Sequence, residues 1–378
     1  MSPSRRRSFL ATVAAVTVAG CTANRPTSPT LTSPSTIDGE WPMPAHDAGL
    51  SNATTEAGPT ESVEGLWSTA TDGAASQPIL VDETLYFGTT TGTLTALDGA
   101  TGEERWTASP GDAVAAPWYA SDQLYVPLDG ELAAFSPDGT ERWRVETPTR
   151  SGFVAASRGS YYVADSDTPT VVALNTDGEV RWRTDIADPW QPRLFATDDR
   201  VGISSGSRDS RYWTLDATTG DRLGEPPRPG NDFPTELCLR DGTMYAVEAF
   251  FGGIDATAAT EAGHSWNAGV PGGADPSVSA TADTLYYAVN GSDGPVVIAF
   301  DAETGTERWR RSLAGDIDGQ VVAGTACVLV PTTETTVCLT RDGGSRLWRQ
   351  PGLTAPLTLT DDIVFTTTSE GVRALRAR

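Results

Sequence analysis

The chain has 378 residues, of which 50 are acidic and 27 basic, with a formal net charge of −23 and a pI near 4.4. All 27 basic residues are arginine, and lysine is absent. This balance argues against nucleic-acid binding, which rests on clustered basic residues. It reads as adaptation to strong salt, which screens the self-repulsion of so acidic a surface; the alternative is an ordinary acidic secreted protein.

The N-terminus reads as an address. Arg5-Arg6-Arg7-Ser8-Phe9-Leu10 resembles the twin-arginine export consensus, with Arg6 and Arg7 as the pair. The apolar run from Leu10 to Gly20 is too short to span a bilayer, which takes about 20 residues. Val18-Ala19-Gly20-Cys21 resembles a lipobox, so Cys21 is the expected lipidation site and residues 1–20 the signal peptide; the competing reading is a plain signal with an incidental cysteine. Together with the acidic, lysine-free composition, this points to a haloarchaeal lipoprotein on the outer face of the cytoplasmic membrane. Residues 21–40 are Ser/Thr/Pro-rich, cannot bury a core, and are expected to be a lipidated tether.

Residues 41–58, beginning Trp41-Pro42-Met43-Pro44, show no strand alternation and are expected to lie across the outside of the domain. Gly65-Leu66-Trp67-Ser68 then reads as a lone outer strand. From there one sentence repeats. Ala96-Leu97-Asp98-Gly99-Ala100-Thr101-Gly102-Glu103-Glu104-Arg105-Trp106 ends a strand, makes a turn in which an Asp side chain can accept backbone N–H groups, and starts a returning strand that carries a tryptophan. It returns at 134–143, 173–182, 299–309 and 338–348, and without its Trp at 215–220. The recurrent tryptophans are Trp67, Trp106, Trp143, Trp182, Trp266, Trp309 and Trp348. Their spacings of 39, 37, 39, 84, 43 and 39 define units of about forty residues, and the gap of 84 is two periods filled by the degenerate copy.

Each unit reads as four short strands: 78–81, 84–88, 93–97 and 104–107 in the first. Prolines 78, 117, 192, 234, 276 and 356 recur at the first strand, where a missing N–H costs little. The C-terminus supplies three strands and stops before a fourth, so the Trp67 strand completes the last unit. Repeated four-stranded units of this length are propeller blades. The expected fold is therefore all-β, an eight-bladed β-propeller of four-stranded antiparallel blades over about 62–378 within a domain 41–378, its ring closed by the Trp67 strand.

The repeat Ala-Leu-Asp-x-x-Thr-Gly-Glu-x-x-Trp resembles that of PQQ-binding-like eight-bladed β-propellers. These include quinoprotein alcohol dehydrogenases and the BamB-type lipoprotein scaffold of the bacterial outer-membrane β-barrel assembly machine. Trp41-Pro42-Met43 is similar to the lead-in of such proteins. The resemblance implies that the seven repeated tryptophans and their glycines dock adjacent blades. For the dehydrogenase members it also implies PQQ stacked on a disulfide of adjacent cysteines over a Trp floor, with Ca²⁺ and an Asp base.

This chain has Cys21, Cys238, Cys327 and Cys338, no two adjacent, and no calcium-loop or haem-attachment motif. Asp98, Asp216 and Asp301 sit in repeated turns and read as turn formers. His46 and His264 are the two histidines. No catalytic residue, cofactor or metal is expected. Cys327 and Cys338 lie on neighbouring strands of one blade and are either a disulfide or two buried thiols. Asn52 and Asn290 head N-glycosylation triplets, which also arise by chance.

What remains is binding around the axis, where Trp190, Gln191 and Arg193 are the most ligand-like group: an aromatic face, an amide and a forked cation. Trp118 and Trp190 have a competing reading as core that plugs the channel. The resulting expectation is a non-enzymatic, monomeric scaffold with an unknown protein partner. The alternatives are a PQQ-dependent dehydrogenase or a sugar- or small-molecule-binding propeller.

Overall fold

The computed structural model describes residues 36–378 apart from 148–152, 158, 165–169, 187–192, 205–211, 224–233, 249–251 and 259–263. The chain divides into Met1–Thr32 and Ser33–Arg378, and everything below concerns the second unit. Among the described residues there is no helix. The strands form eight antiparallel sheets, seven of four strands and one of three, in an eight-bladed propeller. In chain order, blades 1 to 7 span residues 79–108, 118–146, 153–185, 193–216, 234–269, 273–312 and 322–351. Blade 8 takes Leu357–Leu359, Ile363–Thr368 and Gly371–Ala377 from the C-terminus and Val63–Ala70 from the N-terminal side.

That last pairing closes the ring. Val63 lies opposite Ala377, Trp67 opposite Ala374 and Ala70 opposite Gly371. The two ends of the repeat region are thus joined by a full strand pair, and no free seam remains between them. Blade 4 is the three-stranded one. Its degenerate turn still folds back, and a single bridge between Leu215 and Arg222 stands where the other blades carry an outer strand.

The core lies in the seams between blades. Ile79, Tyr86, Leu94, Leu124, Val126 and Phe135 pack across blades 1 and 2, and Cys238, Tyr245, Ile254, Val278, Tyr287 and Ile298 across blades 5 and 6. Middle strands such as Thr84–Gly88 and Cys327–Pro331 are buried along their whole length, and where polar residues occur in such strands, as at Asp255, Thr336 and Thr366, they too are buried. Each outer strand alternates, as in Glu307–Ser312, where Trp309 is buried between exposed neighbours.

A bulge recurs in the outermost strand pair of all seven four-stranded blades, in blade 8 between Gly65 and Trp67, with Trp67 facing Ala374. The tryptophan faces a small residue and the register then slips by one: Ala96 faces Trp106, but Leu97 faces Glu104. The same slip follows Ala134–Trp143, Ala173–Trp182, Ala256–Trp266, Ala299–Trp309 and Cys338–Trp348. The small partner leaves room for the indole. The extra residue, usually the Arg before the Trp, is turned out of the ladder.

The segment 37–58 does not lie across the outside, as its lack of alternation suggested. It is a strap laid on the innermost strands. Trp41 exchanges backbone hydrogen bonds with Leu80 at 2.8 and 2.9 Å. The N–H groups of Tyr119, Ala196, Leu239, Ala280 and Ala323 then donate in turn to the carbonyls of Pro42, Ala48, Gly49, Ser51 and Asn52. Blades 1, 2, 4, 5, 6 and 7 each give the strap at least one such bond, at the end of the innermost strand. Because it takes one or two bonds from each successive edge, it needs no side-chain period. Its anchor is Trp41, fully buried, with its ring edge-on to His46 at 4.9 Å.

The seams rest on glycine as much as on tryptophan. A Cβ on Gly139 would stand 2.7 Å from the Trp106 ring, at φ +87°, whereas one on Gly130 would meet nothing at a similar φ of +78°. Gly130→Ala should cost about 1 kcal/mol for the left-handed backbone alone. Gly139→Ala adds an overpacking term and should cost about 2–4 kcal/mol. Denaturant unfolding in multimolar salt measures both; equal losses would remove the indole contact from the explanation.

Candidate functional site

Six of the eight blade-to-blade joints share a tryptophan, a turn glycine and an aromatic partner, and in some of them an arginine is added. A tryptophan from one blade lies on the turn glycine of the next: Trp67 on Gly102, Trp106 on Gly139, Trp143 on Gly178, Trp182 on Gly220, Trp266 on Gly305 and Trp309 on Gly344. The indole N–H donates to the carbonyl one residue past the head of that turn. The acceptors are Gly99 at 2.9 Å, Pro137 at 2.8 Å, Thr176 at 2.7 Å, Ala217 at 3.1 Å, Ala302 at 2.9 Å and Arg341 at 2.5 Å. A tyrosine of the same blade tilts against the indole, with centroids 5.7–6.0 Å apart at Tyr86, Tyr125, Tyr162, Tyr245 and Tyr286. Trp67 has Phe365 in that place.

The seventh tryptophan has no such turn to meet, because blade 8 takes its outer strand from Val63–Ala70 and has no turn joining its third strand to its outer one. Trp348 instead donates to the carbonyl of Pro59 at 2.8 Å, at the end of the strap. The strap therefore supplies the acceptor that the missing turn would have provided.

The fourth part is the arginine that the bulge turns outward, which sequence patterning did not single out. Arg105 donates to Asp98 at 2.8 Å and to Thr84 at 2.5 Å, and Arg308 donates to Asp301 at 2.8 Å and Thr284 at 2.6 Å. Arg181 reaches Ser160 in the same way. The other carboxylate oxygen heads the turn: Asp98 accepts from Ala100 and Thr101, Asp216 from Thr218 and Thr219, and Asp301 from Thr304. Arg308 and these turn donors hold the Asp301 carboxyl down at about 2. The signal for this role was the residue before each Trp, arginine in four of the copies.

At the strap-covered end of the axis, Asp47 accepts from Ser51 Oγ at 2.5 Å and pairs with Arg240 at 3.3 Å, tying the strap to blade 5. Asn52 is 6% exposed and donates its side-chain amide to Val278 at 3.3 Å, so a glycan cannot be attached there in the folded chain. Asn290 uses both ends of its amide on Ile317, at 2.9 and 2.8 Å, across the joint from blade 6 to blade 7. Cys327 and Cys338 are free buried thiols. Cys327 is in register with Thr340 and Cys338 with Leu329, so they stand diagonally rather than opposite. Their sulfurs donate to the strap carbonyls of Ala57 and Pro59, and hydrogen bonding to Cys327 together with burial pushes the Cys338 thiol well up.

Of the axial group, Trp190 and Gln191 lie outside the described residues, and Arg193 is described only as backbone opening the strand Arg193–Ala196. Cys21, Arg6 and Arg7 also lie outside them. Trp118 is 9% exposed and packs with Met43, Tyr125 and Tyr161 as core. The described residues do not fit a quinone held as the dehydrogenase resemblance implies. Cys238 lies in blade 5 and Cys327 and Cys338 on neighbouring strands of blade 7, no two adjacent in the chain, and among the described residues no three His, Cys, Asp or Glu side chains converge as for a metal ion.

Two family descriptions match the chain. "Outer membrane protein assembly factor BamB" matches residues 128–249 and 240–378, and "Glucose/ethanol/alcohol dehydrogenase, beta-propeller domain" matches 57–119. The outer membrane protein assembly factor BamB of Salmonella typhimurium is 23% identical over 326 residues, covering 79% of this chain and 74% of that protein. Among solved structures, BamB from Moraxella catarrhalis aligns with a TM-score of 0.66 at 16% identity, over 84% of this chain and all of that one. A quinohaemoprotein alcohol dehydrogenase from Pseudomonas putida aligns at 0.68 and 13% identity, over 89% of this chain and 80% of that one. At these identities the structural likenesses establish the shared propeller fold.

The turn carboxylates give a pH test. Asp301 titrates near 2 when folded, against 3.8 for a free carboxyl. It therefore contributes stability that is complete above the unfolded value and is lost as pH falls from about 4 towards 2. Asp301→Asn should flatten the acid limb of the stability curve over that window, followed by tryptophan fluorescence. An unchanged limb would mean that the Arg308 pair has no net effect.

Proposed function

The chain belongs to the PQQ-repeat β-propeller family described as outer membrane protein assembly factor BamB, and from that premise we propose that it is a protein-binding scaffold held at a membrane surface. The observation that carries this reading is the extent of the assembly-factor match, which runs through every blade from the third to the last. The repeat residues support it, because the recurring Trp, Gly, Tyr and Asp, together with Arg105, Arg181 and Arg308, are engaged in joining blades or in holding the strands and turns within them. An acidic, arginine-only surface suits a partner with basic contacts.

The anchor belongs to the same proposal. The Val18-Ala19-Gly20-Cys21 sequence would place a lipid on Cys21 after export directed by Arg6 and Arg7, and the Ser/Thr/Pro-rich stretch would hold the propeller off the membrane. A haloarchaeal cell has no outer membrane of the Salmonella kind. The proposal is accordingly protein binding on the outer face of the cytoplasmic membrane, not assembly of outer-membrane barrels. The dehydrogenase reading keeps a foothold in the match over residues 57–119.

Affinity capture of the native lipoprotein from intact membranes in multimolar salt tests the choice. The scaffold reading predicts a stoichiometric protein partner, and no change in absorbance or alcohol oxidation when PQQ and Ca²⁺ are added to the purified chain. A partner-free preparation that gains a quinone absorbance and oxidises alcohols would replace it with the dehydrogenase. Cys21→Ser should release the protein into the medium, and its retention at the membrane would refute the lipid anchor.

A further inference from the structure

The joints repeat closely enough that one can serve as a template for another. At the joint between blades 6 and 7 the turn position that receives the indole N–H is Arg341, and its side chain fills the space beside Trp309 and Tyr286. Its guanidinium donates to Tyr286 Oη at 3.0 Å, Thr281 Oγ1 at 3.1 Å and the Thr325 carbonyl at 3.2 Å, and it pairs with Asp283. Arg308 lies beside it without expelling it, because Arg308 is itself held by Asp301 and Thr284.

Between blades 1 and 2 the same frame is present, but the turn position is Pro137. Trp106 donates to the Pro137 carbonyl as Trp309 does to that of Arg341. Tyr86 stands where Tyr286 stands and Thr84 where Thr284 stands. Arg105 is pinned to Asp98 and Thr84 as Arg308 is to Asp301 and Thr284. With no side chain reaching in from the turn, a cleft of about 390 Å³ remains, lined by Asp82, Tyr86, Arg105, Trp106, Tyr119 and Asp138 among others. Asp82 lies on the wall of the cleft, one residue before Glu83, which has the place of Asp283 in the hairpin; Val81 stands where Thr281 stands, and Asp138 follows Pro137 at the rim as Asp342 follows Arg341.

We propose that this cleft receives an arginine side chain from a partner protein, on the frame that holds the chain's own Arg341 at the blade 6–7 joint. The inference rests on the protein-binding reading and names the chemistry of the contact. A guanidinium suits the site better than an ammonium. It is planar, it offers several donors to Asp82 and to the Tyr86 hydroxyl at once, and it can lie against Trp106, Tyr86 or Tyr119 through cation–π contact. Burial and the nearby Asp122 and Asp82 carboxylates raise the Tyr119 hydroxyl to about 12, so it stays protonated and neutral beside an incoming cation. The cleft volume falls at the lower end of the range for small-ligand sites.

The test uses the full-length lipoprotein and the probe peptide acetyl-Gly-Arg-Gly-amide, with its citrulline and lysine counterparts, titrated by tryptophan fluorescence at constant salt. The arginine peptide should bind saturably, and the citrulline peptide, equal in shape but uncharged, at least tenfold more weakly. Asp82→Asn should weaken the arginine peptide about fivefold or more; asparagine tolerates the positive φ of 46° at this turn. Pro137→Arg should place a tethered guanidinium in the cleft, abolish peptide binding and leave the melting temperature equal or raised. Equal affinity for the citrulline peptide, or undiminished binding by Asp82→Asn, would overturn the proposal. If a captured partner stays with Asp82→Asn and Pro137→Arg at wild-type stoichiometry, the cleft assignment fails while the scaffold reading stands. If the peptide binds as described but no partner is captured, the scaffold reading fails instead.

Discussion

The contact between a tryptophan ring and the bare face of a turn glycine is the constraint on which this ring depends. A Cβ at six of these glycines would stand 2.5–2.7 Å from the indole, closer than any side chain can be accommodated. The indole fills that place because it offers a broad apolar face and one N–H, and the N–H finds a carbonyl in the same turn. Burying a ring of that size is worth roughly 2–3 kcal/mol, and the hydrogen bond adds about 1 kcal/mol. The glycine, the carbonyl, the small residue opposite the Trp and the bulged arginine serve this one contact. Repeated around the ring, it sets the period of about forty residues.

The strap follows from the same constraint. A ring whose outer closing strand comes from the opposite end of the chain has one blade without the receiving turn. Trp348 would then have an unpaired N–H and an uncovered face. Pro59 supplies the acceptor at 2.8 Å, and the residues before it continue along the free edges of the innermost strands. One end of the axis is consequently crossed by backbone tied to six blades, and the two thiols of blade 7 are covered by it. The recurring side chains are thereby committed to structure. Recognition is left to places that the joints leave open, such as the cleft beside Pro137, whose counterpart at the blade 6–7 joint is filled by Arg341.

Much of the architecture was legible in the sequence because it is carried by side-chain identity at fixed spacing. The Trp and Gly positions gave the period, the blade number and the closure by the Trp67 strand. The strap was misread because its role is carried by backbone groups, which leave no pattern; Trp41, fully buried in a segment without alternation, was its one side-chain mark. The Arg–Asp–Thr lock was visible as residues but not as a relation, since a bulge has to turn Arg105 towards Asp98 and Thr84. Asn52 shows the limit of a triplet motif: the sequence supplies the acceptor pattern, while its burial under blade 6 is a tertiary fact. The Arg341–Pro137 exchange lies in plain sight in the turns, yet it acquires meaning only when two joints are superposed.

The central claim is that the blade joints are spent on holding the ring and that the chain acts by binding protein at places those joints leave open. Hydrogen–deuterium exchange on the native full-length chain, alone and with its captured partner, tests this most directly. The account predicts slowed exchange on complex formation around residues 81–86 and 119–123, with the docked turns at 98–102, 216–220 and 301–305 unchanged. Protection that appears only at the axis on adding PQQ with Ca²⁺, or a partner that leaves residues 81–86 and 119–123 exchanging as in the free protein, would contradict it.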